Sequence, residues 1–298
     1  DAFRKAAECF QLAIQRDPHY ASAWARLAST YAMLGFWGLR PLSEVLPQAE
    51  QAARRALELD DAAAQAHLAL GTACWFYHWD LAASEREYRR AVELGPNDPL
   101  AHCVLSVFLG SMKRDHPAAV AEAKLAQELD PLSVPAKQDA GWVYYWARQY
   151  DRAIAQSRTV LAMDESCLQA YYIQGMALQA KSSLDEAIVV FEKAAVLFGD
   201  SLSLSYLGLA CGLGGRHERA RAVLGQLQER ARSQPVRSIC FASVYAGLGE
   251  GDQALQWLEK ARQERDPHVL WLGVSPGWDC MRGDPRFTAL LRKLNLEP

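Results

Sequence analysis

One residue spacing, with gaps of four, three and five, recurs through this chain and limits what it can fold into. It first joins Ala6, Phe10, Ala13 and Pro18, then Ala49, Ala53, Ala56 and Asp61. Ser84, Tyr88, Ala91 and Pro96 follow, then Ala119, Ala123, Ala126 and Pro131. Ala153, Ser157, Val160 and Glu165 carry it onward to Ala187, Phe191, Ala194 and Gly199. Ala220, Leu224, Leu227 and Arg232 precede the last copy, Ala254, Leu258, Ala261 and Asp266. Positions i, i+4 and i+7 share one face of an α-helix, so each copy marks a helix whose buried side is mostly small. Each such helix follows another that reads large, large, small, large. Examples are Trp24, Leu27, Ala28, Tyr31, then His67, Leu70, Gly71, Cys74, and later Tyr171, Gln174, Gly175, Leu178 and Leu204, Leu207, Gly208, Cys211. Turn residues separate the helices at Ser182-Ser183, Gly215 and Gly249-Glu250-Gly251. Whole phrases return with the pattern: "RRALELDD" at 54–61 comes back as "RRAVELGP" at 89–96.

A helix pair of this kind cannot bury its apolar face alone and must stack on the next copy. A unit of about 34 residues reading W-x-x-L-G/A-x-x-Y, then A-x-x-x-F-x-x-A and a late Pro, resembles the tetratricopeptide repeat. The resemblance covers nearly the whole chain. It implies an all-α fold, a right-handed superhelical solenoid of stacked antiparallel helix pairs with a C-terminal capping helix. The expected array runs over 1–268: a half repeat at 1–20, then full repeats at 21–63, 64–98, 99–133, 134–167, 168–200, 201–234 and 235–268. The first full repeat carries an insertion within "GFWGLRPLSEV". Residues 269–298 read as a linker and a cap. Asp284 is the expected N-cap with Pro285 at the first helical position, and Phe287, Leu290, Leu291 and Leu294 form the apolar face. The tail "WDCMRGDPRFTALLRKL" and the copy "DLAASEREYRRAVELGPND" are similar to repeat regions of large bacterial signalling proteins. There a winged-helix, kinase or cyclase domain often lies upstream. The chain opens on Asp1 inside a helical pattern, so it reads as a piece of a longer protein.

Composition narrows the function. A formal net charge of −3 offers no basic surface for nucleic acid. No apolar run approaches the ~18 residues that a membrane span needs, so no membrane insertion is expected. The seven cysteines are widely spaced, with no C-x-x-C. That pattern fits reduced thiols in the cytoplasm; a periplasmic location is the alternative if a membrane segment precedes the chain.

The motifs that suggest chemistry fail on their details. Gly273-Val274-Ser275-Pro276-Gly277 spells G-x-S-x-G, with Asp279 and His268 nearby. The hydrolase elbow, however, needs a strand before it and a backbone N–H after the serine, and Pro276 has none. Gly212-Leu213-Gly214-Gly215 and Gly247-Leu248-Gly249-Glu250-Gly251 lack both a preceding strand and a phosphate-binding Lys, and read as helix ends. His67 and His102 occupy the slot of Trp24 and read as packing residues, while Arg54-Arg55 and Arg89-Arg90 read as solvated surface. No catalytic, cofactor or metal site is expected.

The resemblance implies that the first helix of each pair lines a groove. Its slots hold Gln138, Trp142, Tyr145, Gln169, Tyr172, Ile173, Met176 and Tyr206. Aromatics and Met beside amides suit an extended peptide or an amphipathic helix, although the same rings would also serve to pack neighbouring repeats. The carboxylate clamp of the chaperone-binding relatives is not expected, because its slots hold Ala25, Ser29, Leu68, Thr72, Pro135 and Asp139. The expected partner is therefore a protein or peptide segment. Trp142→Ala or Tyr172→Ala is expected to weaken binding without unfolding the array. The alternative is a spacer or self-association module, a homodimer formed through Phe36, Trp37 and Leu39 in the insertion.

Overall fold

A computed structural model describes residues 2–36 and 40–296. Trp37, Leu39 and the side chain of Phe36, the expected self-association residues, lie outside what is described. The fold is all-α, with no strand among the described residues. Helix α1 (Ala2–Arg16) leads into α2 (Ala21–Phe36) and α3 (Leu42–Leu59). Then come α4 (Ala64–Ala73), α5 (Leu81–Leu94), α6 (Pro99–Phe108) and α7 (His116–Leu129). The succession continues with α8 (Val134–Trp146), α9 (Tyr150–Met163), α10 (Leu168–Ala180) and α11 (Leu184–Phe198). It ends with α12 (Ser201–Leu213), α13 (His217–Ala231), α14 (Ser238–Gly247), α15 (Gly251–Gln263) and α16 (Pro285–Lys293).

The chain divides into two compact units, one of residues 1–108 and 121–131, the other of 109–120 and 132–298. In the first, the small positions of the repeat form the core: Ala28, Ala32, Ala49, Ala53, Ala56 and Ala69 pack with Leu27 and Leu70. Gly71 lets the Tyr88 ring lie flat against α4, where a Cβ would sit 2.5 Å from the ring. The buried phenol is then satisfied by Thr72 Oγ1 at 3.1 Å. In the second unit Gly175 admits Phe191 in the same way. Here α8, α10, α12 and α14 form one layer and α9, α11, α13 and α15 the other, each helix touching its successor.

The two near-identical phrases lie 35 residues apart, against 33 or 34 between the later copies of the pattern. The extra residue has a structural consequence. Helices α4 and α6 each end in a π-helical stretch, Cys74–His78 and Leu109–Lys113. A single inserted residue widens one helical turn in this manner. The closing hydrogen bonds record it: Asp80 N–H reaches back six residues to Cys74 O and Asp115 N–H to Leu109 O. In the later repeats Gln149, Ser183, Arg216 and Glu250 reach back five, to Tyr144, Leu178, Cys211 and Tyr245. All six turns pass through a left-handed residue: Trp79, Arg114, Arg148, Ser182, Gly215 and Gly249. Glycine takes this conformation freely; the others pay for it in steric strain.

The first ring of each repeat also has a fixed task. Trp24 Nε1–H donates to Pro18 O at 3.1 Å, and Tyr171 O–H to Glu165 O at 3.2 Å. His67 and His102 place Nε2 3.4 and 2.9 Å from Asp61 O and Pro96 O. Each reaches six residues back and ties the helix to the turn before it. The histidines in the tryptophan slot are thus packing and capping residues; their Nδ1 atoms meet Glu87 and Glu122 at 2.7 and 2.5 Å.

At the C-terminus, the Asp284 carboxylate accepts the Arg286 N–H at 2.8 Å and caps α16, with Pro285 at its start. Phe287, Leu290, Leu291 and Leu294 are buried, while Arg292 and Lys293 face water.

Candidate functional site: the inner face of the second unit

Between α15 and α16 the chain leaves the repeat. Two short 3-10 turns, Pro267–Trp271 and Pro276–Met281, carry it across the layer of α8, α10, α12 and α14, termed the inner layer, where the second of them touches α10 and α14. Asp266 starts the excursion by accepting the His268 N–H at 3.0 Å. Val269, Leu270 and Leu272 are buried, and so are Val274, Pro276 and Trp278. Trp278 stacks at 6.4 Å on Phe287 of α16.

Tyr145 of α8 is the centre of this contact. Its oxygen accepts the Gly277 N–H at 3.1 Å and shares a hydrogen bond with Ser275 Oγ at 3.2 Å. Burial pushes the phenol far above its ordinary pKa, and the Ser275 and Gly277 contacts offset only part of that shift, so it stays neutral. Gly277 lies directly over the inner face. A methyl group there would be 3.7 Å from the Tyr145 oxygen and 3.8 Å from Met176 Cε, ordinary contact distances.

Two arginines hold the rim. Arg148 donates from Nη1 and Nη2 to the two oxygens of Asp279, at 2.7 and 3.0 Å. Arg114 Nη2 donates to Gly273 O at 2.6 Å. Arg282, on the segment itself, completes both contacts, donating to Asp279 Oδ1 at 2.6 Å and to Gly273 O at 2.9 Å. Burial alone would raise the Asp279 carboxyl; the hydrogen bonds and charges of Arg148 and Arg282 outweigh it and hold the pKa below the usual value.

The residues expected to line a groove divide into two groups. Gln138, Tyr145, Tyr172, Ile173 and Met176 are buried, at 5, 0, 3, 0 and 7% exposure. Trp142, Gln169 and Tyr206 are half-buried. Tyr145 and Met176 meet under Gly277, with Trp142 5.9 Å from the Tyr145 ring. Tyr172 and Tyr206 instead pair edge to face at 5.0 Å, and Tyr172 O–H donates to Asp200 at 2.6 Å. Gln138 accepts the Cys167 S–H at 3.3 Å. The expectation that Tyr172→Ala spares the fold is therefore corrected: emptying this buried site costs about 3–5 kcal/mol of stability. Trp142 remains the side chain through which binding is tested.

Ser275 of the G-x-S-x-G sequence is buried, and its Oγ is engaged by Tyr145. Among the described residues no group of three His, Cys, Asp or Glu is placed to hold a metal ion. Nor is any described helix long and apolar enough to cross a membrane. Sequence reasoning did not single out Arg114 and Arg148 at all. The signal that marks them is positional, since they stand where Gly215 and Gly249 stand in later repeats.

The comparisons with known proteins agree with the fold. Residues 139–201 match the family model described as Tetratricopeptide repeat. The chain is similar in structure to PilW, described as a widely conserved type IV pilus biogenesis factor, with a TM-score of 0.60 and 17% identity over 75% of this chain and 98% of that one. It is similar to a tetratricopeptide repeat protein from Parabacteroides merdae, with a TM-score of 0.59 and 14% identity over 89% of this chain and 98% of that one. Pseudomonas aeruginosa pilF gives a TM-score of 0.53 and 18% identity over 75% and 97%. No curated protein sequence matches the chain.

Proposed function

Since the chain is a tetratricopeptide-repeat protein, we propose that it is a non-catalytic protein-interaction scaffold that holds a peptide or helical segment on the inner face of its second unit. One observation carries the reading: that face already accommodates an irregular stretch of chain, through Tyr145, Met176 and Arg148. A surface that binds backbone through a buried phenol and side chain through a guanidinium fork suits segments rather than small molecules. We place the chain in the interaction or sensory region of a larger bacterial signalling or regulatory protein, on the strength of its sequence resemblance. The array of 1–268 supplies the surface, and 269–298 supply its cover and cap.

The test compares capture of binding proteins by the full chain and by Trp142→Ala/Gln169→Ala, two half-buried positions, after circular dichroism shows equal helicity. A partner held by the first and lost by the second is the expected result. Equal retention by both moves the function off this face. The second reading, a spacer or self-association module, gains if no partner is captured and the chain dimerises at high concentration.

A further inference from the structure

The left-handed position that closes the first helix of each repeat is taken by glycine at Gly215 and Gly249 and by a small residue at Ser182. Bulky residues take it at Trp79, with φ of 61°, and at Arg114 and Arg148, with φ of 53° and 58°. A long side chain gains nothing from that conformation, and what sets the two arginines apart from Trp79 is where their side chains go. Both arginines reach the same target. Arg114 grips the Gly273 carbonyl and Arg148 the Asp279 carboxylate, the two ends of one irregular segment. Between these ends the Tyr145 phenol binds the Gly277 N–H, and a Cβ added there would meet Ser275, Tyr145 and Met176 at ordinary contact distance, so a glycine or an alanine fits. Two arginines one repeat apart, a buried phenol and a position that takes a small residue add a recognition pattern to the apolar packing of Val269, Leu270, Leu272 and Trp278.

We propose that residues 267–283 are an internal ligand of this face, and that the partner is an extended protein segment of the same chemistry. This rests on reading the inner face as the binding surface. The partner segment presents a free backbone carbonyl to Arg114, a glycine or alanine over Tyr145 and a carboxylate two residues later to Arg148. It binds by displacing the chain's own segment. The backbone hydrogen bonds of α8, α10 and α12 are internal to each helix, while release of the segment uncovers Val269, Leu270, Leu272 and Trp278. The clasp itself sits at a solvated rim, with the Arg148 and Asp279 side chains 52 and 38% exposed. A contact of that kind opens more readily than the buried layers beneath it.

The experiment uses the full chain in three forms: unchanged, Gly277→Leu/Asp279→Ala, and Arg114→Gly/Arg148→Gly. The first variant weakens the internal ligand and keeps the face; the second damages the face and relieves the backbone strain. Hydrogen exchange is followed in 269–281 and in α10 and α12. Binding of a labelled peptide with the sequence of residues 270–282 is followed by fluorescence anisotropy. Both variants are expected to raise exchange in 269–281 about ten-fold, the scale of one charge-assisted hydrogen bond, with α10 and α12 unchanged. The peptide is expected to bind Gly277→Leu/Asp279→Ala at least about ten-fold tighter than the unchanged chain, and Arg114→Gly/Arg148→Gly no better than the unchanged chain. Three results overturn the proposal. Exchange of 269–281 only together with α10 and α12 makes the segment part of the core. A released segment with no peptide binding removes the shared chemistry, while the broader scaffold reading stands on its own capture test. A variant that dimerises by exchanging segments between copies assigns the face to self-association.

Discussion

Gly212→Ala is expected to unfold the second unit's α12–α14 contact and to lower the midpoint of helical unfolding by about 10 °C. The reason is backbone against backbone. A Cβ on Gly212 would sit 2.3 Å from the Gly247 carbonyl carbon and 2.5 Å from its oxygen, and one on Gly247 would sit 2.6 Å from Leu209 O. A clashing side chain can rotate away, but two helix backbones cannot, so the helices must separate and lose the packing between them. Overpacking of this type costs about 3 kcal/mol, which at about 2–4 °C per kcal/mol for a protein of this size lowers the midpoint by about 6–12 °C. Gly225 supplies the contrast. It lies within α13, and a Cβ there meets nothing within 4 Å. Gly225→Ala is expected to stabilise by about 0.5–1 kcal/mol, through lower backbone entropy of the unfolded chain and better helix propensity. Circular dichroism melts of both variants check the pair. A Gly212→Ala midpoint within about 2 °C of the unchanged chain would mean that the close approach carries little of the packing.

The second large effect depends on pH. Asp139, on α8, is buried at 6% exposure, and burial pushes its carboxyl up to about 8 despite a hydrogen bond from Gln138. Its ordinary value is 3.8. The folded chain therefore keeps a proton that the unfolded chain has already released. Stability falls as pH rises from about 4 to about 8 and levels off beyond, because over that window the unfolded state binds fewer protons. The cost at the upper end is on the order of a few kcal/mol. Asp139→Asn is neutral at every pH and keeps the shape. It is expected to match the unchanged chain at pH 4 and to exceed it by a few kcal/mol at pH 9, as read from urea unfolding at both pH values. Parallel behaviour of the two proteins across that range would show that Asp139 is solvated or paired.

Much of this architecture was legible from residue spacing, and what was not has identifiable causes. The alternation of Gly71 with Tyr88 and of Gly175 with Phe191 was readable because a small residue opposite a ring leaves a fixed period in the sequence. The turns at Ser182, Gly215 and Gly249 were readable because small residues announce a left-handed cap. Their counterparts Trp79, Arg114 and Arg148 were not, since a bulky residue in that conformation has no compositional signal. The π-helical stretches had a signal, the 35-residue spacing, whose meaning depends on knowing where the extra residue is absorbed. The Gly pairs carried two messages in one motif: Gly215 and Gly249 end helices, while Gly212 and Gly247 bring two helices into contact. The cover of the inner face was the least legible part. Ser275 lies 130 residues from Tyr145, in a stretch with no periodicity, so that no local pattern connects them.

Binding of a protein segment on the inner face of the second unit is the function proposed above. Hydrogen exchange across the full chain, with and without the partner taken by the capture experiment, tests it most directly. The account predicts that the partner changes protection in α8, in α10 and in residues 269–281, and leaves α1 to α3 as they were. A footprint confined to the outer helices α9, α11 and α13, with 269–281 unaltered, would contradict it.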